Sequence, residues 1–261
     1  MKQTPGMPSS PISRRNQAYW NNQVHDASIT THPAGTPEFF QDLAAYRYEK
    51  LAYLAGRVDF AAYPGQRVLE IGCGTGLDLG RFASGGAQVT GMDLSPVSID
   101  LCRRYFKQEA LPGNFCVMDG ENLAFPENHF DLVYAFGVIQ YTPNPERMLQ
   151  EIWRVMKIGG EGILMVYNRH SWMNLLAKVM KVKFENEAAP SFHLFSHEEF
   201  KKLLVPFSKV EIIPERFPVK TRLQHGIKAV VFNQVFVGLF NALPRAWVRR
   251  SGWHLLGWVK K

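Results

Sequence analysis

Val68-Leu69-Glu70-Ile71-Gly72-Cys73-Gly74-Thr75-Gly76 is the stretch that decides the fold. Its first residues belong to a run, Arg67 to Ile71, that is apolar on both faces, as strands buried in a parallel sheet are. The three glycines then turn the chain sharply into a helix starting near Leu77, and without a Cβ they let a ligand touch the backbone. Amides at the start of that helix carry partial positive charge, which suits a carboxylate or hydroxyl. A dinucleotide-binding fingerprint needs its third glycine at position 77, where Leu77 stands, so the spacing is G-x-G-x-G. No Lys-Ser/Thr pair follows, which excludes a phosphate-cradling nucleotide-hydrolase loop.

Outward from the loop, strand and helix patterns alternate from Gln66 to Tyr167 with short connections, the signature of an α/β parallel sheet. The helix after the loop stops at Gly85–Gly86, and Gln88–Met92 is the second strand. Ser95 and Pro96 are an N-cap and a first-turn proline for a helix with Ile99, Leu101, Cys102, Tyr105 and Phe106 on its apolar face. Asn114–Met118 and Phe130–Phe136 are the third and fourth strands. Asn144 and Pro145 open a helix that buries Met148, Leu149, Ile152, Val155 and Met156 and ends at Gly159–Gly160. Gly162–Tyr167 is a fifth strand, Ser196 with Glu199 caps a short helix, and Lys209–Ile213 and His254–Val259 complete the set.

Two further carboxylates follow strand ends. Asp93 closes the second strand, where it can accept two hydrogen bonds from a ribose diol; the plainer role is a charge at a helix N-terminus. Met118-Asp119-Gly120-Glu121 closes the third, where a carboxylate can read an adenine amino group or simply form a polar turn.

Together the E-x-G-x-G-x-G loop, Asp93, the Asp119 turn and Phe130-Asp131-Leu132-Val133 leading to Gly137-Val138-Ile139 resemble the class I S-adenosylmethionine-dependent methyltransferases, in particular the small-molecule group with the quinone-biosynthesis enzymes. The resemblance covers Gln66 to Asn168. It implies a Rossmann-like seven-stranded sheet, mostly parallel with one antiparallel strand and helices on both faces, with the cofactor across the carboxyl ends of strands one and four. It implies S-adenosylmethionine as cofactor. Glu70 and Gly72 would lie near the methionine moiety, Gly74 under the adenosine with Cys73 and Gly76 completing the loop, and Asp93 on the ribose. Leu94 would pack on the adenine, Asp119 and Gly120 read its edge, and Phe136 and Gly137 border the methionine amino group. Many relatives carry a His-His pair after the fourth strand; Gln140-Tyr141 stands there in this chain.

For proton transfer or acceptor orientation the candidates are Gln140, Tyr141, Asn168, Arg169 and His170, at the ends of strands four and five. His170 ranks first as base because its ordinary pKa lies near neutrality, and Tyr141 accompanies it; His170 is equally a surface histidine at a helix start. His25, His32, His193, His197 and His225 are unranked, show no metal-ligand spacing, and no metal is predicted.

The organisation read from the sequence is a flexible polar tail over 1–16, a helical lid over 17–65 with Tyr19, Trp20 and Tyr46 as its aromatics, and the main domain over 66–261. Helical insertions interrupt that domain at 171–195 and 216–251. Trp172, Leu175, Leu176 and Val179 recur at helical spacing beside Lys178, Lys181 and Lys183. The apolar run Ile227–Leu243 is followed by Arg245, Arg249 and Arg250 interleaved with Trp247 and Trp253. Such a basic, tryptophan-bearing segment covers an apolar pocket or lies in a membrane interface, and both roles favour a small hydrophobic acceptor, quinone-, lipid- or polyketide-like.

The net charge of +7 suits an anionic partner without choosing one. A nucleic-acid methyltransferase is the rival enzyme. It is disfavoured because the basic residues are dispersed and no Asn/Asp-Pro-Pro-aromatic motif follows the fourth strand. A non-catalytic membrane-associated protein of the same fold is the rival outside enzymes. Three cysteines in core patterns, no signal-peptide core and no membrane-length apolar run point to a cytoplasmic protein, with peripheral membrane contact as the variant.

Overall fold

The computed structural model describes residues 6, 8, 10–181, 183–184, 186–219, 231–244 and 248–261. Its centre is a seven-stranded sheet in the order β3-β2-β1-β4-β5-β7-β6. The strands are β1 Arg67–Ile71, β2 Gln88–Asp93, β3 Asn114–Val117, β4 Phe130–Phe136, β5 Met156–Tyr167, β6 Lys209–Glu215 and β7 His254–Lys260. β1 pairs in parallel with both β2 and β4, so the strand order reverses between β1 and β4. β7 runs antiparallel to both of its neighbours, β5 and β6. The sheet with one antiparallel strand that the resemblance implies is the one observed.

Four helices share one start signal. Ser10, Thr36, Ser95 and Asn144 each accept a hydrogen bond from the backbone three residues on, and each precedes a proline. They open α1 Pro11–Asn22, α2 Pro37–Lys50, α4 Pro96–Gln108 and α5 Pro145–Val155. A side-chain cap and a proline in the first turn satisfy or remove amides that no helical carbonyl can reach. α3 spans Leu77–Ser84, α6 Trp172–Met180, α7 His197–Leu203 and α8 Val237–Ala242, the last preceded by a π-helical stretch Val231–Phe236.

The apolar faces sort into two layers. α5 and α7 cover one face of the sheet, with Leu149, Ile152, Phe200 and Leu204 packed on Leu69, Val133 and Leu255. α3 and α4 cover the other with Leu79, Phe82, Ile99 and Phe106 on Val68, Leu132 and Ile163. A smaller cluster of Phe39, Phe40 and Leu43 fixes α2 to Leu77 and Leu101.

Two expectations change, and part of a third lies outside the described residues. The stretch 1–16 is not wholly a flexible tail: α1 starts at Pro11, Ser13 and Asn16 are buried, and the Gly6 carbonyl accepts from the Asp119 amide at 2.8 Å. Its composition is polar because its polar groups are used. Gly159–Gly160 does not end a helix; α5 stops at Val155 and both glycines lie inside β5. There Gly159 takes φ +78° and the β4–β5 register shifts between Phe130 and Leu132. Of the insertion expected over 216–251, Ile227, His225, Arg245 and Trp247 fall outside the described residues.

Candidate active site

A cavity of about 280 Å³ opens over the carboxyl ends of β1 and β4, at the point where strand order reverses. Open α/β sheets bind ligands there because the loops leaving the two strands diverge.

One half is made of the glycine loop and the turns after β2 and β3. Gly72, Gly74 and Gly76 all take left-handed φ, +70°, +54° and +85°. The reasons they must be glycine differ. A Cβ on Gly72 would sit 2.8 Å from Val138, and one on Gly76 2.5 Å from the Cys102 sulfur, whereas one on Gly74 would meet nothing and project into open space. The first and third glycines are there for packing, the second for whatever approaches the loop. The Gly72 and Cys73 amides donate to the Met92 carbonyl, tying the loop to β2. Asp93 accepts from the Gly74 amide at 3.0 Å and the Ser95 amide at 2.8 Å, so its carboxylate is locked between loop and α4. Burial nonetheless raises its pKa, against the pull of those amides.

Glu70, at the end of β1, is buried with Oε2 lacking a hydrogen-bond partner among the described residues. Burial and the neighbouring Asp78 carboxylate push its pKa well up, while Arg47 pulls it down. A buried, unsatisfied carboxylate oxygen is costly, and a cationic ligand group beside it would restore its charge. That is the fit expected for the ammonium of S-adenosylmethionine. Asp119 closes its own turn, accepting from the Glu121 amide at 3.0 Å.

The N-terminal helices cover this half and are bolted to it. Arg47 of α2 donates from Nε to Asp78 Oδ1 at 2.9 Å and from Nη2 to Oδ2, and Tyr134 donates to the same carboxylate at 2.9 Å. Asp78 is fully buried, and Arg47 and Tyr134 hold its pKa down against burial. From α1, Asn16 donates to the Tyr141 carbonyl at 2.9 Å, Gln17 to the Leu94 carbonyl at 2.8 Å, and Asn21 accepts from Ser95.

The other half has aromatic walls. Phe184, Trp253, Tyr167 and His254 form a column with ring centroids 4.7, 4.6 and 5.7 Å apart and planes within 28° of parallel. Trp20 of α1 meets Tyr141 edge-on across the opening at 5.0 Å. At the foot of the column His254 is buried between Tyr53, 2.6 Å from Nδ1, and Arg216, whose Nη1 lies 3.3 Å from Nε2. Arginine only donates, so Nε2 accepts and the ring proton sits on Nδ1, facing the Tyr53 oxygen. Burial, with Arg216, Lys50 and Arg47 nearby, drives the His254 pKa well below its ordinary value.

The cavity brings together Glu70, Gly72, Cys73, Gly74, Asp93, Leu94, Asp119, Gly120, Phe136, Gly137 and Tyr141. Gly76 is behind the loop, as the N-cap of α3 against Cys102. His170 is corrected: it is exposed beyond β5, does not line the cavity, and its amide donates to Asn168 Oδ1 in a local turn. Of its companions, Asn168 caps the Arg250 and Gly252 carbonyls and Arg169 pairs with Glu199 on the surface. Gln140 is buried away from the cavity lining. Arg47, Asp78, Arg216, Trp253 and His254 were missed as site residues. Only the last two had a sequence signal, at the head of the final strand.

Residues 69–164 match the family model described as "Methyltransferase domain". This segment is a methyltransferase domain. It carries the loop, Asp93, Asp119 and Gly137, so the resemblance to class I S-adenosylmethionine-dependent methyltransferases is borne out, and with it S-adenosylmethionine as cofactor. A ubiquinone biosynthesis O-methyltransferase of Coxiella burnetii is 33% identical over 106 residues, 41% of this chain and 45% of that protein. The chain thus matches under half the length of this curated relative. Among solved structures, geranyl diphosphate C-methyltransferase from Streptomyces coelicolor, in complex with Mg2+, geranyl-S-thiolodiphosphate and S-adenosyl-L-homocysteine, shares the fold at TM-score 0.62 and 15% identity. That alignment covers 97% of this chain and 98% of the other. The [4+2]-cyclase SpnF aligns at TM-score 0.57 and 19% identity over 99% of both chains. Similarity at this level establishes the fold only; it also extends the likeness beyond the methyltransferase domain to the helices at both ends.

Among the described residues no three His, Cys, Asp or Glu side chains converge as a metal site, and no helix is long and apolar enough to cross a membrane.

Proposed function

We propose that the protein transfers a methyl group from S-adenosylmethionine to a small hydrophobic acceptor, quinone-, lipid- or polyketide-like, and does so in the cytoplasm. The observation that carries this reading is the continuity of the cavity: the glycine loop, Asp93 and Asp119 line one end, and the Phe184–Trp253–Tyr167 column lines the other. A cofactor site alone would not need a second, aromatic half.

When bound, S-adenosylmethionine supplies a methyl carbon made electrophilic by its sulfonium. The residues around it then have three tasks. Glu70, the Gly72 and Gly74 backbone, Asp93 and Asp119 hold the cofactor, with Leu94 and Phe136 as apolar packing. The aromatic column aligns a flat or apolar acceptor for in-line attack, which is the main contribution a protein makes to a displacement. Trp20 and Tyr141, tied together through Asn16, exclude water from above. His254 lines the cavity, but its Nε2 lone pair already accepts from Arg216, so it shapes the acceptor wall rather than serving as base, and Tyr141 remains an orienting group.

Radiolabelled methyl transfer into organic-extractable acceptors tests the reading. Incorporation into quinols, polyphenols or lipid phenols supports it; a folded protein that binds cofactor and methylates only DNA or RNA would replace it with the nucleic-acid alternative.

Peripheral membrane contact is supported by one feature. Trp172, the first residue of α6, packs on Phe236 and Phe240, so the start of α6 meets the helical segment 231–242. Leu175, Val179 and Leu239 are each about two-thirds or more exposed (66%, 72% and 67%). Lys178, Lys181 and Lys183 stand beside them, also exposed. An apolar face rimmed by lysines suits an anionic bilayer. Co-sedimentation with phosphatidylglycerol vesicles, abolished by Val179→Asp with Leu239→Asp, is the expected result.

A further inference from the structure

The acceptor half holds a charge that the apolar reading does not use. Three cations line the cavity besides histidines, and two are neutralised by the protein itself. Arg47 is tied to Asp78, and Lys50 to Asp26 at 2.7 Å. Arg216 has no carboxylate partner among the described residues. Its chain neighbour Glu215 is taken by Arg57 at 2.6 Å, and among the described residues its guanidinium meets only the neutral His254 side chain. An arginine has five donors, and a single contact of 3.3 Å leaves most of them unallocated.

Arg216 is also held in place. Its backbone takes a left-handed φ of +58°, an unusual conformation for a non-glycine residue. Its carbonyl accepts from the Trp172 indole at 2.8 Å and from the Trp253 amide at 3.4 Å. The same two tryptophans thus anchor the arginine and build the wall beside it. The side chain is half-buried at the foot of the aromatic column, one imidazole away from Phe136. Burial first, and then the positive charge of Arg216, Lys50 and Arg47, depress the His254 pKa.

Resting on the function proposed above, we propose that the methyl acceptor bears an anionic group, a carboxylate or a phosphate monoester, next to its apolar body, and that Arg216 receives it. A planar guanidinium fork in a half-dry site favours a bidentate oxyanion. Arg47, over Phe136 at 5.4 Å from the ring centroid and within the field of Glu70, stands at the end of the cavity proposed for the cofactor, whereas Arg216 stands at the aromatic end. The aromatic wall and Arg216 together therefore select an amphipathic acid over a neutral hydrocarbon of the same shape.

The test uses the full chain saturated with S-adenosylhomocysteine and three probes of one shape: 2-naphthoate, 2-naphthyl phosphate and neutral 2-naphthamide, titrated calorimetrically. One of the two anions binds at least tenfold tighter than the amide, and which one identifies carboxylate or phosphate. Arg216→Gln abolishes the preference, Arg216→Lys keeps part of it, and neither changes S-adenosylhomocysteine affinity. Equal binding of all three probes, or binding of none while S-adenosylhomocysteine binds, would overturn the proposal. A tenfold loss of S-adenosylhomocysteine affinity in Arg216→Gln would also overturn it, by assigning Arg216 to the cofactor. Failure of S-adenosylhomocysteine to bind the wild type overturns the underlying function instead.

Discussion

The two halves of the cavity are built by different means. The cofactor half rests on three consecutive strand ends, and its polar groups lie within a few residues of a turn: Glu70 and the glycines after β1, Asp93 after β2, Asp119 after β3. The acceptor half is assembled from distant points of the chain: Trp20 on α1, Tyr141 after β4, Phe184 after α6, Arg216 after β6, and Trp253 and His254 at β7. Local construction gives rigid placement of backbone amides, which suits an invariable ligand. Long-range construction lets wall residues change without disturbing the sheet, which suits a ligand that differs between relatives.

If the N-terminal helices are fastened to the cofactor half mainly by one ion pair, breaking that pair has the largest effect. Asp78→Ala strands Arg47 in a protein interior, a change that costs about 3–5 kcal/mol. Chemical denaturation will register it; a loss below about 1 kcal/mol would mean that Arg47 escapes to solvent and the bolt is not essential. The double variant with Arg47→Met recovers a large part of the loss.

The loop glycines sharpen the contrast between packing and ligand contact. Gly76→Ala forces a Cβ onto Cys102 and costs roughly 1–3 kcal/mol for overpacking, in addition to left-handed strain. Gly74→Ala carries the strain without the clash, about 1 kcal/mol, yet projects a methyl into the cavity. We expect Gly74→Ala to weaken S-adenosylhomocysteine binding at least tenfold while melting close to wild type, and Gly76→Ala to do the reverse.

The acceptor half should reveal itself through pH. His254 is neutral when folded at pH values where an exposed histidine is protonated. Below about pH 6.5 the unfolded chain therefore binds more protons, and stability falls with pH at up to about 1.4 kcal/mol per unit. His254→Gln removes this contribution, flattening the stability profile between pH 6.5 and 5. An unchanged slope would mean that the imidazole is protonated in the fold.

The same division explains what could be read from sequence. The glycine spacing, Asp93, the Asp119 turn and the strand–helix alternation are local, so the sheet and the cofactor half were legible residue by residue. The Ser10–Pro11 start of α1 was equally local, using the cap seen at Ser95–Pro96, but a polar composition disguised it. Nothing local distinguishes Arg216 from other arginines, or shows that β7 returns antiparallel to set His254 beside Phe136 and Tyr167. His170 was misplaced for the complementary reason: a strand end in the right place, but with its side chain turned to solvent by the Asn168 turn.

Calorimetric titration of S-adenosylhomocysteine into wild type and Asp93→Ala tests the central claim most directly. The account predicts one site per chain in wild type and at least a hundredfold weaker binding in a variant that still folds. Equal affinity in the two proteins, or no binding to a folded wild type, would contradict it.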